Sequence, residues 1–186
     1  VFASGLRNAA FSAVNPTTGE LWATENSRDN LGDNLPPDEI NIIRAGFNYG
    51  WPICYGMGVH DTSFDHNSYI RDPCADTATP LFNIQAHSAP LGLAFVQSKQ
   101  FPVGWGGDLI VAYHGSWNRT VKTGYKLVRL HVLGNTIASQ EDFITGFVND
   151  QTTLGRPVKP LFDAQGNLFL SDDYTGSIYI IQHPGA

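Results

Sequence analysis

Three stretches of the chain carry the same order of apolar and polar positions. Glu20-Leu21-Trp22-Ala23-Thr24-Glu25-Asn26, Asp108-Leu109-Ile110-Val111-Ala112-Tyr113-His114 and Asn167-Leu168-Phe169-Leu170-Ser171-Asp172-Asp173 align without gaps, and each ends in a polar residue at one register. None shows the spacing of an amphipathic helix, so each predicts a strand. A second strand is predicted after each, over Glu39 to Ile43, Tyr125 to Leu130 and Ser177 to Ile181. An apolar segment also precedes each, beginning at Arg7, Ser88 and Gly155. Every unit thus predicts a small antiparallel sheet of three or four strands.

Repeated strands with polar loops at one register mark a β-propeller, whose blades number about 4 to 8 and run to about 40 to 50 residues. The sequence therefore reads as all-β: one partial propeller domain with units over about 5–50, 87–133 and 143–183, and an insertion over 51–86. Three units do not close a ring. Either further blades or a second copy of the chain is needed to finish it. Val1 is not an initiator Met and no signal-like segment opens the chain, so the start is expected to be a processed or truncated end.

The polar ends of the units hold the candidate chemistry. After Tyr113 the chain places His114, Ser116, Trp117, Asn118 and Arg119 in one short loop, where a plain turn has no use for a Trp and an Arg together. The bland alternative makes Trp117 a core lid and Arg119 solvated surface. Arg7 and Asn8 stand just before the first inner strand, where side chains reach a propeller axis; pairing of Arg7 with a surface carboxylate is the alternative. The 186 residues carry a net charge of −6 with eleven Lys and Arg, which argues against nucleic acid as a partner and leaves an anionic ligand to local arginines. No run of about 18 apolar residues predicts a membrane span.

The loop from Glu25 to Glu39 is rich in acids, but Leu31 stands where the EF-hand pattern needs an oxygen ligand. A cation there would have to draw on backbone carbonyls. Cys54 and Cys74 lie in the irregular insertion, where a disulfide would staple a segment without a core and place the protein outside the cytosol; two free buried thiols are the alternative. His60 and His66 read as surface, His87 as a residue behind the site, and His114 as a ligand contact. No spacing supports a catalytic Ser/His/Asp or Cys/His set, so no catalytic residue is assigned. Asn118-Arg119-Thr120 is a glycosylation sequon that is expected to stay unmodified if Asn118 faces a ligand.

Arg7-Asn8, GELWATEN at Gly19 to Asn26, RDNLGDNLPPDEIN at Arg28 to Asn41, FNYGWP, HGSWNR at His114 to Arg119, GRPV at Gly155 to Val158 and SDDYTGSIY at Ser171 to Tyr179 together resemble the C-terminal half of the soluble quinoprotein sugar dehydrogenases. The likeness is nearest to the sorbosone and fungal pyranose dehydrogenases, with glucose dehydrogenase more distant. It implies about three blades of a six-bladed propeller that binds pyrroloquinoline quinone (PQQ) and Ca²⁺. It further implies cofactor contacts for Arg7, Asn8, Asn118, Arg119 and Arg156, with His114 beside them and Trp117 over the ring. Ser27 and Arg28 would offer backbone carbonyls to the metal. One departure is Phe11-Ser12, where the family carries Gly-Leu, which leaves the packing of the first inner strand for the structure to decide.

The resemblance implies PQQ-dependent oxidation of an aldose, pyranose or sorbosone-like sugar, with hydride passing to the Ca²⁺-bound quinone and electrons onward to an unidentified acceptor. The family's general base, a His, belongs to a blade expected N-terminal to residue 1, so this chain alone is expected to be incomplete and inactive. A secreted or periplasmic location follows from the expected disulfide. The alternative from another class is a non-catalytic propeller module that binds carbohydrate or protein.

Overall fold

The computed structural model describes residues 1–182. Its strands, in chain order, are β1 (Phe11–Val14), β2 (Leu21–Glu25), β3 (Asp38–Ile43), β4 (Cys54–Tyr55), β5 (Val59–His60), β6 (Phe82–Ile84), β7 (Pro90–Phe95), β8 (Leu109–Tyr113), β9 (Lys126–Leu133), β10 (Thr136–Ile144), β11 (Val148–Asn149), β12 (Thr152–Thr153), β13 (Pro157–Phe162), β14 (Leu168–Asp172) and β15 (Ser177–Ile181). The helical content among the described residues is the short 3-10 turn Val103–Trp105, and no helix is long and apolar enough to cross a membrane. The chain is all-β.

Three antiparallel sheets carry the fold, in the orders β1-β2-β3-β6, β10-β9-β8-β7 and β13-β14-β15. The two short hairpins β4-β5 and β11-β12 stand outside them. Two boundaries differ from the sequence expectation. The fourth strand of the first sheet, β6, lies inside the 51–86 stretch set apart as an insertion and pairs with β3. Three residues, Phe82 to Ile84, are too few to announce a strand by periodicity. The second sheet runs on to Ile144 through β10, past the expected end at 133, because Gly134-Asn135 turns the chain straight back on β9. The last residue of the expected third unit, 183, lies outside the described residues.

The aligned middle strands explain why their sequences are apolar almost throughout. In β8, Leu109, Val111 and Tyr113 face Trp22, Ile40, Ile84, Leu93, Phe95, Val128 and Leu130 in a core between the first and second sheets. Ile110, on the opposite face, joins Val96, Phe101, Leu127, Leu168 and Leu170 between the second and third. A strand buried on both faces has no position for a polar residue until it leaves the core. The first strands, β1, β7 and β13, pack side by side with β7 in the middle. Their approach is close: a Cβ on Gly92 would stand 2.6 Å from the Lys159 Cα, so only glycine fits there. Phe11, at the expected departure, packs against the first core and lies under Lys159. The strand tolerates it.

The flanks of the stack differ. Residues near the N-terminus, Ala3 and Leu6, pack with Ala23, Ile43 and Tyr49 over the first sheet. On the third sheet Leu161, Ile178 and Ile180 remain exposed.

Cys54 and Cys74 form a disulfide, which settles the alternative of free thiols. It closes the excursion between β3 and β6. Reducing it frees a loop whose closure entropy corresponds to about 3 kcal/mol. Non-reducing peptide mapping is expected to recover the linked Cys54 and Cys74 peptides, and urea unfolding with and without reductant to show a stability loss of that size. Two alkylatable thiols in never-reduced protein would contradict the bridge.

Candidate functional site

The predicted register holds at the strand ends: Asn26, His114 and Asp173 each follow directly on β2, β8 and β14. Asn26 and His114 open onto one cleft of roughly 340 Å³, walled also by Arg7, Asn8, Ser27, Asp38, His87, Trp117, Asn118 and Arg156, among others. All three sheets contribute to it.

Two arginines are set into this wall by the same device. The Arg7 main-chain N–H donates to Glu25 Oε1 at 2.6 Å, and that of Arg156 to Asp172 Oδ1 at 3.0 Å. In each case an acid at the end of the sheet's second strand holds the residue that precedes its first strand. The Arg156 guanidinium then donates to the carbonyls of His114 (3.3 Å) and Gly115 (2.6 Å) and lies over the Tyr125 ring. Gly115 must be glycine, because its φ is +107° and a Cβ would run into the Tyr125 ring. Arg7 Nη1 donates to both Asn26 O (3.1 Å) and Ser27 O (2.9 Å), and the guanidinium stands over Trp51. Two backbone carbonyls therefore converge on one positive group.

Other expected contacts divide. Trp117 is 70% exposed at the cleft, so it is no core lid. Asn118 lines the cleft with its Oδ1 buried and without a hydrogen-bond partner. Asn8 lines it too, and its carbonyl accepts from Asn26 N. Arg119 does not line it: the guanidinium is turned to the carbonyls of Asp33 and Ala86 and to Asn34 Oδ1, and Thr120 N donates to Asp33 Oδ1. The loop after β2 reaches across to the second sheet and takes Arg119 as its anchor, a partnership 86 residues apart that no local pattern reveals. Arg28 likewise points its side chain away, to Asp61 at 3.0 Å and the Phe64 ring.

The histidines also sort themselves. His114 Nε2 meets Asp173 Oδ1 at 2.9 Å, and since a carboxylate only accepts, Nε2 carries the proton. Burial lowers the His114 pKa, with Asp173 pulling the other way, so the ring is neutral near pH 7. His87 is buried at the cleft and donates from Nε2 to Gly32 O at 2.8 Å. His66 is exposed as expected. His60 is not simple surface: its Nε2 lies 2.9 Å from the buried Asp65, which also accepts from Tyr69 and Asn67.

Sequence reasoning missed the buried acids under the cleft. Asp38 is 3% exposed, and burial lifts its pKa to about 7 against the hydrogen bonds from Ser27 and Ala89. Burial likewise lifts Glu25 to about 8, against the Arg7 N–H and with help from Glu39. The acids of the DEIN run were visible in the sequence; their burial was not. Among the described residues no group of three or more His, Cys, Asp and Glu could hold a metal. A cation at this cleft would rest on the Asn26 and Ser27 carbonyls and on oxygens of a bound group.

A carboxyl whose folded pKa exceeds its unfolded value binds more protons in the folded state, so stability falls as pH rises through that interval. For Glu25 the interval runs from 4.5 to about 8. The melting temperature in chelator is expected to drop between those limits, and to drop less in Glu25→Gln. Equal slopes would show that Glu25 ionises freely in the fold.

A family model described as TrAA12-like matches residues 1–184. The chain is 28% identical over 216 residues to the pyrroloquinoline quinone-dependent sugar dehydrogenase of Hypocrea jecorina strain QM6a, a match covering 96% of this chain and 47% of that protein. It superposes on the calcium structure of the Trichoderma reesei Carbohydrate-Active Enzymes family AA12 protein with a TM-score of 0.77 at 27% identity, over 98% of this chain and 53% of that one. The holo pyranose dehydrogenase PQQ domain from Coprinopsis cinerea gives a TM-score of 0.78 at 24% identity over 97% and 55% of the two chains, a likeness of fold. The chain spans about half the length of the curated relatives it matches. With a family match from the first residue almost to the last, and a fold shared with the AA12 structure, the chain belongs to the TrAA12-like family.

Proposed function

We propose that this chain forms one side of the cofactor cleft of a PQQ-dependent sugar dehydrogenase. The observation that carries the reading is the meeting of Arg7 and Arg156, from the two outer sheets, at one cleft in a chain of net charge −6. PQQ is a planar tricarboxylate, and guanidinium groups match carboxylates in paired, charge-assisted hydrogen bonds. The lining fits such a group. Arg7, Asn8, Asn118 and Arg156 hold it, with neutral His114 beside them. The unpartnered Asn118 Oδ1 supports a missing partner at that point, and the exposed Trp117 indole offers a ring face.

The Asn26 and Ser27 carbonyls fit a Ca²⁺ that completes its shell from the cofactor. The family resemblance points to the Ser27 and Arg28 carbonyls; that of Ser27 pairs with the Asn26 carbonyl on Arg7 Nη1. Because Arg7 shares those carbonyls, a second positive charge there is stable only with a polyanion between the two. When bound, the Ca²⁺-polarised quinone supplies the hydride acceptor for the sugar carbon. The residues of this chain bind and orient it. Arg119 acts at one remove, by anchoring the loop whose near end is the Ser27 turn. His114 is assigned no role as base; in this reading the base that takes the sugar hydroxyl proton comes from the family's blades outside these residues.

In this reading the three sheets are consecutive blades of a six-bladed ring, and the bare flank of Leu161, Ile178 and Ile180 is covered by further blades or a second copy. The disulfide supports a secreted or periplasmic setting.

Fluorescence titration of the intact protein with PQQ and Ca²⁺ is expected to show binding, with sugar-dependent dye reduction. Arg156→Ala is expected to weaken PQQ by about 1.5 to 3 kcal/mol, the cost of a lost charge-assisted pair. Unchanged affinity in both Arg7→Ala and Arg156→Ala would favour the carbohydrate- or protein-binding module. Expressed by themselves, these 186 residues are expected to sediment as pairs or larger species and to show no turnover. A stable monomer would count against a covered flank, and turnover would place the base within them.

A further inference from the structure

The clamp on the inner strands is broken in the middle sheet. In the outer sheets, Glu25 and Asp172 take the N–H of Arg7 and Arg156. The aligned residue at the end of β8 is Tyr113, which has no carboxylate and sends its hydroxyl to Gln140. Ala89, which occupies the place of Arg156 in the aligned segments, would be left with an unpaired amide at the cleft wall. It is not left so. Asp38, from the first sheet, crosses over and accepts the Ala89 N–H with Oδ2 at 2.8 Å. Its other oxygen, Oδ1, accepts the Ser27 N–H at 2.9 Å. One buried carboxylate therefore spans two sheets, with each oxygen on a main-chain amide of the cleft wall.

Both ends of this bridge need holding. Ala89 and His87 have φ of +53° and +67°, in the left-handed region that costs a non-glycine residue free energy and persists only where neighbours enforce it. Ser27 belongs to the turn whose carbonyl, with that of Asn26, accepts from Nη1 of the cleft-lining Arg7. An amide held from behind fixes the peptide planes on either side of it, because those planes are rigid. The Ser27 N–H is part of the same peptide group as the Asn26 carbonyl. Fixing that N–H aims that oxygen.

We propose that Asp38 is a positioning residue for the cation: by holding the Ser27 and Ala89 amides it aims the Asn26 carbonyl into the cleft and locks the turn to the second sheet. The inference rests on the functional reading above and goes beyond it in assigning calcium affinity to a residue that need not touch the ion. Residues that orient metal ligands from behind change affinity by roughly 10-fold to 100-fold when altered.

The test measures PQQ binding by fluorescence in the intact protein across a Ca²⁺ series and, separately, in EGTA. Asp38→Asn is expected to raise the Ca²⁺ concentration for half-maximal binding about 10-fold or more. PQQ affinity in EGTA, which depends on the arginines, is expected not to fall, since the change removes an acid from the wall of a polyanion cleft. Ala89→Gly relieves the left-handed strain without touching the Ser27 bond, so Asp38→Asn/Ala89→Gly is expected to keep the calcium defect, and it takes the place of the single variant if that one does not fold. Three results overturn the proposal: wild-type calcium dependence in Asp38→Asn, an equal loss of PQQ affinity with and without Ca²⁺, or recovery of calcium dependence in the double variant. A wild type that binds no PQQ overturns the functional reading, and this proposal with it.

Discussion

The cleft depends on how the main chain is held just before each inner strand. Those residues lie where three sheets converge, and their amides have no strand partner, so a side chain must accept from them or they are buried unpaired. Carboxylates meet the need: Glu25 for Arg7, Asp172 for Arg156, and Asp38 for Ala89. An uncharged acceptor would satisfy the amide as well. A carboxylate brings a second oxygen, and that oxygen is used in each: Glu25 Oε2 accepts from Asn41, Asp172 Oδ2 from the Tyr179 hydroxyl and Asp38 Oδ1 from Ser27. The cost is burial of acids beneath a cleft that presents arginines. Burial raises the proton affinity of Glu25 and Asp38, whereas at Asp172 the hydrogen bonds from Arg156, Thr175 and Tyr174 outweigh burial and lower it.

Much of this was legible before any coordinates. The gapless alignment of three apolar runs located β2, β8 and β14, and the polar residue after each marked the face where the cleft lies. Strands buried on both sides leave a strong apolar signal, and a family likeness spread over several ordered motifs gave the relatives. Arg7 was singled out because it stands just before an inner strand and Arg156 through the family likeness, and both line the cleft.

What the sequence hid has a common physical cause. The family resemblance implied Arg119 at the ligand; its guanidinium is turned instead to the carbonyls of Asp33 and Ala86, and a carbonyl has no letter in the sequence. Asp38 stood in plain view within an acidic loop, yet its two partners are amides, equally silent. β6 was lost in the excursion because three residues carry too little pattern. Side-chain chemistry is written in the chain; the main-chain groups that decide where a side chain is spent are written in the fold.

The position of β8 has one more consequence. It is flanked by paired strands on both edges, covered on both faces, and each of its five residues is buried. Local opening at β15 or β10 does not expose it, so its amides exchange with solvent only when the molecule opens as a whole. His114 and Gly115 grow directly from its end. The cleft is thus rooted in a strand with every residue buried and both edges paired, and fraying at the rim is expected to leave its inner wall in place.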